Sequence, residues 1–362
     1  MRCLIYVLTL TALTAGSVVA QAAKEPFSWR PVSPEQVEGK GWTATAAPFD
    51  RFPAAAEKRV RPAVWKLSRD SAGICVDFTT DATTIAVRWT LASRQLAKPH
   101  MAATGVSGLD LYVRMGDQWQ FGGTARPTQI PTNQTTIATG LAADSKQCRI
   151  YLPLYNGVAS LEIGTPANAT FKFSGGRREK PIVFYGTSIT HGGCASRPGM
   201  SYPAILGRRL DMPVVNLGFS GNGKCEPEVA ELLGELDPAL FVIDPLPNNM
   251  PAQAAKLLPR FLDVLRDARP ETPILLISSP HYADGPVVAA KARRGTDADR
   301  VVAKIHRERL EAGDKNLYFT LGADFTGNGG DATVDGTHPT DLGFMQMADA
   351  FEPPIRRALQ TP

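Results

Sequence analysis

Residues 182–192 read Ile-Val-Phe-Tyr-Gly-Thr-Ser-Ile-Thr-His-Gly. Four consecutive apolar residues before a Gly-x-Ser turn predict a strand that is buried on both faces and ends abruptly. Comparable apolar runs follow at 214–217, 240–243, 274–277 and 317–319. Helical patterns lie between or after these runs, at 226–236, 257–268, 297–312 and 343–358, with Pro259 marking a helix start or a kink. Alternating strands and helices predict a parallel five-stranded sheet with right-handed crossovers.

The preceding half of the chain has a different periodicity. From about residue 25 to residue 173, short segments alternate apolar and polar residues and are separated by Gly- and Asn-rich turns, as at 84–91, 109–114, 149–154 and 159–163. This period of two predicts an all-β sandwich or jelly roll. The polar, Gly-rich stretch 174–181, closed by a proline, indicates a boundary between the two patterns.

Length and composition limit the class of protein. The chain has 362 residues, which suggests two domains, and its 43% hydrophobic and 20% charged content argues against wholesale disorder. The net charge of +4 is spread along the chain without a long basic block. A nucleic-acid binder usually concentrates its positive charge, so that class is set aside.

The first residues have the pattern of a targeting segment. Met1-Arg2 precedes an apolar run over 3–20 and small residues suited to cleavage, which predicts a signal peptide over 1–22. An uncleaved anchor is the alternative, although the run is barely long enough to span a bilayer. We therefore expect a β-sandwich domain over 23–176, an α/β domain over 177–362, export to the periplasm or the extracellular space, and no stable membrane insertion.

Polar residues gather where the predicted parallel strands end, which is where open α/β sheets bind ligands. Ser188 follows the first strand and is a candidate nucleophile, but a serine hydroxyl needs an adjacent base. His338 supplies an imidazole suited to neutral pH, and Asp335, three residues earlier, can orient it. These residues predict a Ser-His-Asp triad.

A tetrahedral intermediate also needs hydrogen-bond donors for its oxyanion. The backbone N–H groups of Ser188 and Gly221 and the side-chain amide of Asn248 are the candidates. Asn249 stands beside Asn248, and we choose Asn248 because it directly follows a proline.

The C-terminal half resembles the SGNH (GDSL-type) hydrolase family in four blocks: Gly186-Thr187-Ser188, Gly221, Asn248 and Asp335-x-x-His338. Gly108-Leu-Asp-Leu-Tyr112 resembles the GxDLY motif of a subgroup with an N-terminal β-domain and a Gly-Thr-Ser serine block. Thr187 stands where many members have Asp. The resemblance implies a flavodoxin-like SGNH fold and acyl-ester hydrolysis without metal or cofactor, often the deacetylation of carbohydrate.

Four further residues are candidates for substrate contact, each with a structural alternative. His191 is expected in the first turn after the nucleophile, and Arg197 binds either a substrate carboxylate or an acid of the protein. His281 is a rival base or lines the pocket, and His100 is a candidate to reach the cleft from the β-domain. For Asp110, inside an apolar strand, we expect an ion pair with an arginine at the domain junction.

Removal of the predicted signal peptide leaves four cysteines, and an even number in an oxidising compartment permits disulfides. Cys194 and Cys225 belong to loops expected to converge on one mouth, which suggests a bond between them. Cys75 and Cys148 are a second possible pair within the β-domain. Four free thiols are the alternative, and no thiolate metal site is predicted because no C-x-x-C pair occurs.

These observations predict a secreted serine esterase that removes short acyl groups, chiefly acetyl, from a saccharide or another small ester. A lipase or lysophospholipase acting on longer acyl chains is one alternative, and a non-catalytic carbohydrate-binding protein is another. The sequence leaves the oligomeric state unknown.

Overall fold

Three β-sheets organise the residues that the computed structural model describes, 27–176 and 179–360. The signal peptide predicted for residues 1–22 lies outside them. The strands of the first half are β1 (Phe27–Pro31), β2 (Val37–Glu38), β3 (Cys75–Thr80), β4 (Thr84–Leu91), β5 (Leu109–Met115), β6 (Gln118–Ala125), β7 (Thr132–Thr139), β8 (Lys146–Tyr151), β9 (Val158–Pro166) and β10 (Phe171–Phe173). Its helices are α1 (Pro62–Ser68) and α2 (Ala103–Val106).

The first half forms two antiparallel sheets, in the orders β1-β9-β4-β7 and β10-β3-β8-β5-β6, with β2 paired to β3. Alternation decides which side chains are buried: Val87 and Trp89 of β4 point inward, and so do Val76 and Phe78 of β3 from the other sheet. The indole N–H of Trp89 is satisfied by the carbonyl oxygen of Ser107 at 3.0 Å. This architecture confirms the predicted sandwich.

The second half is built on a sheet whose paired strands are all parallel, in the order β12-β11-β13-β14-β15. The strands are β11 (Ile182–Gly186), β12 (Val214–Gly218), β13 (Leu240–Asp244), β14 (Ile274–Ile277) and β15 (Leu317–Thr320). The helices are α3 (Ser188–His191), α4 (Tyr202–Leu210), α5 (Pro227–Gly234), α6 (Pro251–Ala268), α7 (Ala289–Glu311) and α8 (Asp341–Leu359). This order is flavodoxin-like and confirms the predicted class.

Both faces of the parallel sheet are covered by helices, which explains why its strands are apolar without interruption. Val183 and Tyr185 pack against the layer that contains α5, α6 and α7. Ile182 and Phe184 pack against the layer that contains α4 and α8. In a 2-1-3-4-5 order the connection from β11 to β12 and the connection from β12 to β13 run in opposite directions across the sheet, so a crevice opens at the carboxyl ends of β11 and β13.

Proline positions account for one difference from the expected helices. Helix α6 begins at Pro251, at the first turn, where the missing N–H is harmless, and it continues through Pro259. Pro259 cannot donate to the carbonyl of Ala255, but Ala255 is exposed, so water can take that place. The start predicted at residue 257 was therefore too late.

Part of the first half packs on the parallel sheet rather than on the sandwich. Phe52 and Val64 join the core formed by the α5–α7 layer, and the Phe52 and Phe219 rings lie 5.0 Å apart. Arg51 is buried and donates to the carbonyl oxygens of Asn216 at 3.1 Å and Gly218 at 2.8 Å. The two halves therefore share an extensive interface, while the boundary at residue 176 stays a prediction.

The four cysteines of the described residues are buried and form no disulfide, so the two suggested disulfides are corrected. Cys148 pairs with Phe78 and points into the sandwich core, whereas Cys75 is three residues away in register and faces the interface with α4. Cys194 packs in the α4–α8 layer and Cys225 in the α5–α7 layer, on opposite sides of the parallel sheet. A disulfide needs adjacent Cβ atoms, which neither arrangement offers.

Candidate active site

The structure brings together the three residues predicted as a triad. Ser188 Oγ lies 2.9 Å from His338 Nε2, and His338 Nδ1 lies 2.8 Å from Asp335 Oδ2. Ser188 is 8% exposed, and the side chain of His338 is 22% exposed. Ser188 Oγ thus meets one nitrogen of the imidazole, and a carboxylate holds the other nitrogen, which is the arrangement that nucleophilic catalysis requires.

One turn carries both the histidine and its carboxylate. Asp335 Oδ1 accepts the backbone N–H of Thr337 at 3.1 Å and of His338 at 2.8 Å, which closes an Asx turn and leaves Oδ2 for the ring. Gly336 has a φ of 80°, and a Cβ there would lie 2.6 Å from the Asp284 carboxyl group. The spacing Asp-Gly-x-His thus follows from the shape of the turn.

Asp335 is held as a carboxylate. Partial burial acts to raise its pKa, but hydrogen bonds from the backbone and ring of His338, the charge of that ring and the N–H of Thr337 outweigh burial and lower the pKa. An ionised Asp335 fixes the proton of a neutral His338 on Nδ1. Nε2 is then free to accept the proton of Ser188 Oγ.

The predicted oxyanion donors lie at the ends of three adjacent strands. Ser188 is the first residue of α3, so its N–H has no acceptor within the helix. Gly221, in the loop after β12, has a φ of 68° and no atom within 4 Å of a would-be Cβ, so backbone conformation rather than crowding requires glycine. Arg61 holds this loop with two 2.9 Å bonds to Asn222.

Between the neighbouring asparagines, the structure favours Asn248 as the donor. In the amide orientation that gives the Asn248 side chain hydrogen-bond partners, its oxygen accepts the N–H groups of Asn222 at 3.1 Å and Gly223 at 3.3 Å. The NH2 group of Asn248 then points away from the loop that follows β12. Asn249 is buried, and its Nδ2 is already used by the Pro245 carbonyl oxygen at 2.8 Å.

Behind the nucleophile lies a buried carboxyl group that the sequence analysis did not single out. Asp244 ends β13, and its Oδ2 accepts from Thr190 Oγ1 at 3.2 Å and from the Tyr202 hydroxyl at 3.1 Å. Burial raises the pKa of Asp244 to about 7, although the two hydrogen bonds oppose that effect. This cluster ties α3 to β13 and α4, which fixes the position of the serine turn.

Tyr155, from the sandwich half, reaches the serine directly. Its hydroxyl donates to the Ser188 carbonyl oxygen at 3.2 Å, and its ring stacks on His191 with 4.1 Å between centroids. His191 is completely buried, and burial, helped by the charge of Arg51, keeps its pKa well below the usual value. The expectation that His191 touches substrate is therefore corrected, because the ring has no access to the cleft.

Arg197 also proves to be structural. Its Nη1 lies 2.6 Å from Asp110 Oδ2 and 2.5 Å from the Tyr112 hydroxyl, and its guanidinium lies over the Phe121 ring at 4.1 Å. Asp110 is fully buried and also accepts the N–H of Gly199 at 3.1 Å. The ion pair expected for Asp110 is thus present, and of the two roles considered for Arg197 the structure shows the pairing with an acid of the protein.

The two remaining histidines have different surroundings. His281 Nε2 lies 2.8 Å from Asp299 Oδ2, so this ring is paired with its own acid and is not the partner of Ser188. His100 is exposed, and its ring centroid lies 5.9 Å from that of His338. Of the four residues considered for substrate contact, His100 is therefore the one found beside the triad.

Within residues 27–176 and 179–360, no group of three or more His, Cys, Asp or Glu side chains has an arrangement suited to a metal ion. Nor does any helix of those ranges combine the length and hydropathy needed to cross a bilayer.

The family comparisons agree with the motifs. Residues 179–356 match the GDSL-like lipase/acylhydrolase family, and residues 27–171 match the GxDLY family, described as the N-terminus of Esterase_SGNH_hydro-type. No protein of the curated set matches the sequence.

Solved structures extend this likeness to almost the whole chain. A protein from Bacteroides ovatus that is described as a GDSL-like lipase is 34% identical, with a TM-score of 0.86 over 92% of this chain and 98% of its own. A salicylyl-acyltransferase of a tetracycline biosynthetic pathway is 21% identical, with a TM-score of 0.73 over the same shares of the two chains. An acetyl xylan esterase from the rumen bacterium Butyrivibrio proteoclasticus is 13% identical, with a TM-score of 0.57 over 92% and 98%.

At 21% and 13% identity, the last two show the fold alone. The first, together with the two family matches, covers both halves of the molecule. On these matches, the chain belongs to the GDSL-like (SGNH) hydrolase family, in the subgroup with a GxDLY N-terminal domain, and is a hydrolytic esterase.

Proposed function

We propose that this protein is an exported serine esterase that removes short acyl groups, chiefly acetyl, from carbohydrate. The single observation that carries the proposal is the 2.9 Å contact between Ser188 Oγ and His338 Nε2, with Asp335 on the other ring nitrogen. Export to the periplasm or the extracellular space is part of the proposal and rests on the targeting pattern of residues 1–22.

In the proposed reaction, Ser188 Oγ attacks the ester carbonyl carbon as its proton passes to His338 Nε2. The oxyanion is held by the N–H groups of Ser188 and Gly221 and by the Asn248 amide. His338 then gives the proton to the departing sugar hydroxyl, leaving an acyl group on Ser188. Water, deprotonated by the same imidazole, attacks the acyl-enzyme and releases the free acid.

A saccharide is preferred over a lipid because of the polar residues that line a neighbouring cavity. A cavity of about 640 Å3 adjoins the oxyanion loop, and its walls carry Lys66, Asp70 and Lys98 among other polar residues. Charged walls of this kind suit a hydroxyl-rich substrate better than a long hydrocarbon chain. The fold of an acetyl xylan esterase is also that of this chain, which is consistent with an acetylated glycan as substrate.

Ser188→Ala provides the test. The variant should lose activity on 4-nitrophenyl acetate by about 10^4-fold or more and release no acetate from acetylated xylan, with unchanged thermal unfolding. Ser160→Ala, an exposed serine on β9, is the matched control and should retain full activity. Equal rates for wild type and Ser188→Ala would refute the proposal, and glycan binding without any hydrolysis would support a binding protein instead.

One observation favours the alternative of longer acyl chains. A second depression, of about 410 Å3, borders the triad turn at Gly336 and includes Pro286 and Val287, and Val287 is 85% exposed. A series of nitrophenyl esters from acetate to octanoate separates the two functions. The deacetylase predicts that kcat/KM falls with chain length, whereas a lipase predicts a rise.

A further inference from the structure

The cavity beside the oxyanion loop opens between the two halves of the molecule. Its walls come from α1 and the residues after it, from the loop that follows β4, and from the loop that carries Gly221. A volume of about 640 Å3 is within the range of small-molecule binding sites. Side chains that bear on its chemistry are Lys66, Arg69, Asp70, Lys98, Tyr155 and Ser220.

This cavity lies beside the loop that carries Gly221 and reaches the nucleophile turn through one shared residue, Tyr155. Ser220 and Asn222 line it and flank Gly221, the proposed oxyanion donor. Tyr155 also lines it, and the Tyr155 hydroxyl is hydrogen-bonded to both the Ser188 carbonyl oxygen, at 3.2 Å, and the Ser220 side chain. A substrate whose ester carbonyl sits at Ser188 therefore has neighbouring groups within reach of the cavity.

Two positively charged side chains of the cavity, Lys66 and Lys98, form no salt bridge within the described residues. Arg69 pairs with Asp50 at 3.1 Å and stacks on Trp65, so its charge is accounted for. In the described parts of the chain, by contrast, no carboxylate lies within salt-bridge distance of Lys66 or Lys98. The two ammonium groups are close enough to Asp70, and Lys98 to Lys66, for their charges to interact.

Asp70 does not cancel these two charges. It is largely buried beneath the cavity beside Arg51, whose guanidinium is itself fully buried. Burial raises the pKa of Asp70 to about 7, against the opposing effect of Arg51, so at neutral pH it carries only part of a negative charge. Arg51 also faces this carboxyl group, so the positively charged side chains around Asp70 outnumber the single acid.

Lys98 is placed to bind an anion at little cost. Its Nζ lies 4.2 Å from the centroid of the Tyr155 ring, and the residue is half-buried. Burial lowers the pKa of Lys98, and so does Lys66, although Asp70 opposes both. An ammonium that has lost hydration without gaining a carboxylate partner is stabilised when a ligand brings one.

We infer that this cavity binds the carboxylate of an acidic sugar, so that the preferred substrate is an acetylated saccharide containing uronic acid. The carboxylate lies between Lys66 and Lys98, while the acetyl ester occupies Ser188. This inference rests on the proposed function, because it assigns the substrate class of the same site. It distinguishes this esterase from one that acts on neutral glycans only.

The test compares two substrates that differ in one charge: an acetylated galacturonide oligosaccharide and the same compound with each carboxylate converted to the amide. Acetate release should show kcat/KM at least about tenfold higher for the acid, and the ratio should fall as NaCl rises from 50 to 500 mM. In the double variant Lys66→Gln/Lys98→Gln the ratio should drop to near one. Lys172→Gln, an exposed lysine on β10, is the matched control and should keep the wild-type ratio.

A wild-type ratio within twofold of one, or a ratio that the double variant leaves unchanged, would overturn the inference. Failure of the proposed function is recognised separately, because wild type would then release acetate from neither compound. If neither compound is hydrolysed, calorimetric titration of Ser188→Ala with trigalacturonate still measures whether the cavity binds a carboxylate. Binding that is lost in Ser188→Ala/Lys66→Gln/Lys98→Gln supports the carboxylate site, and absence of binding to Ser188→Ala refutes it.

Discussion

Replacing Asp335 by Asn exchanges one oxygen for an NH2 group in the turn that carries His338. The two carboxylate oxygens have separate tasks: Oδ1 accepts the N–H groups of Thr337 and His338 at 3.1 and 2.8 Å, and Oδ2 faces His338 Nδ1 at 2.8 Å. An Asn whose oxygen keeps the backbone bonds presents its NH2 group to Nδ1. Nδ1 must then be the acceptor, so the ring proton moves to Nε2.

With the proton on Nε2, the ring cannot accept the Ser188 proton across the 2.9 Å contact. The analogous change in serine proteases lowers kcat by about 10^4-fold, which corresponds to about 5 kcal/mol of transition-state stabilisation. Because Asn retains the turn, and because the Asp335 side chain is 43% exposed, we expect the unfolding free energy to change by less than about 1 kcal/mol.

The assay is kcat on 4-nitrophenyl acetate, with thermal unfolding measured on the same samples. Asp335→Ala is the informative companion, because it removes both backbone bonds without imposing the wrong tautomer. It should therefore lose more stability than Asp335→Asn but less activity. A loss of less than tenfold in Asp335→Asn, with the fold intact, would refute the role assigned to this carboxylate.

Three further outcomes are expected. The pKa of Asp244 is about 7 in the folded chain and near 3.8 in the unfolded chain, so the unfolding free energy decreases as pH rises between those values. In urea unfolding at pH 4 and pH 8, Asp244→Asn should make this decrease smaller by up to about 4 kcal/mol. Asp110→Ala leaves Arg197 without its buried partner and should lower the unfolding free energy by about 3 kcal/mol, which a wild-type urea midpoint would contradict. His100→Ala removes an exposed ring beside His338 and should lower kcat/KM on acetylated glycans by up to about tenfold, with unchanged thermal unfolding. An unaltered kcat/KM would exclude His100 from the site.

The sequence was informative about strands of the parallel sheet because their apolar runs are local. The five predicted runs fall within β11 to β15, since a strand buried on both faces needs apolar side chains at every position. Strands β6 and β7 were not predicted. They are rich in Gln, Thr and Gly and present many exposed side chains, so alternation is weak there.

The triad residues were also predicted from the sequence, because they belong to short motifs whose geometry is local. Gly-Thr-Ser must follow a strand, and Asp335 and His338 share one Asx turn, so short-range geometry constrains both. The sequence did not single out Arg51, which is buried and binds the carbonyl of Gly218, or Tyr155, which contacts Ser188. Arg51 follows an ordinary Asp, and Tyr155 lies in a turn cluster, so nothing local indicated either partner.

Local periodicity and turn geometry were enough to predict the class of each half, the strand ends that carry chemistry, and the three residues able to form a triad. Which polar side chains meet across the two halves became known from the folded chain alone. The tertiary structure buried His191, paired Arg197 with Asp110, separated the cysteines and placed Lys98 beside the cleft. Such contacts depend on how two independently patterned surfaces pack, and periodicity within one chain segment carries no information about the segment it will touch.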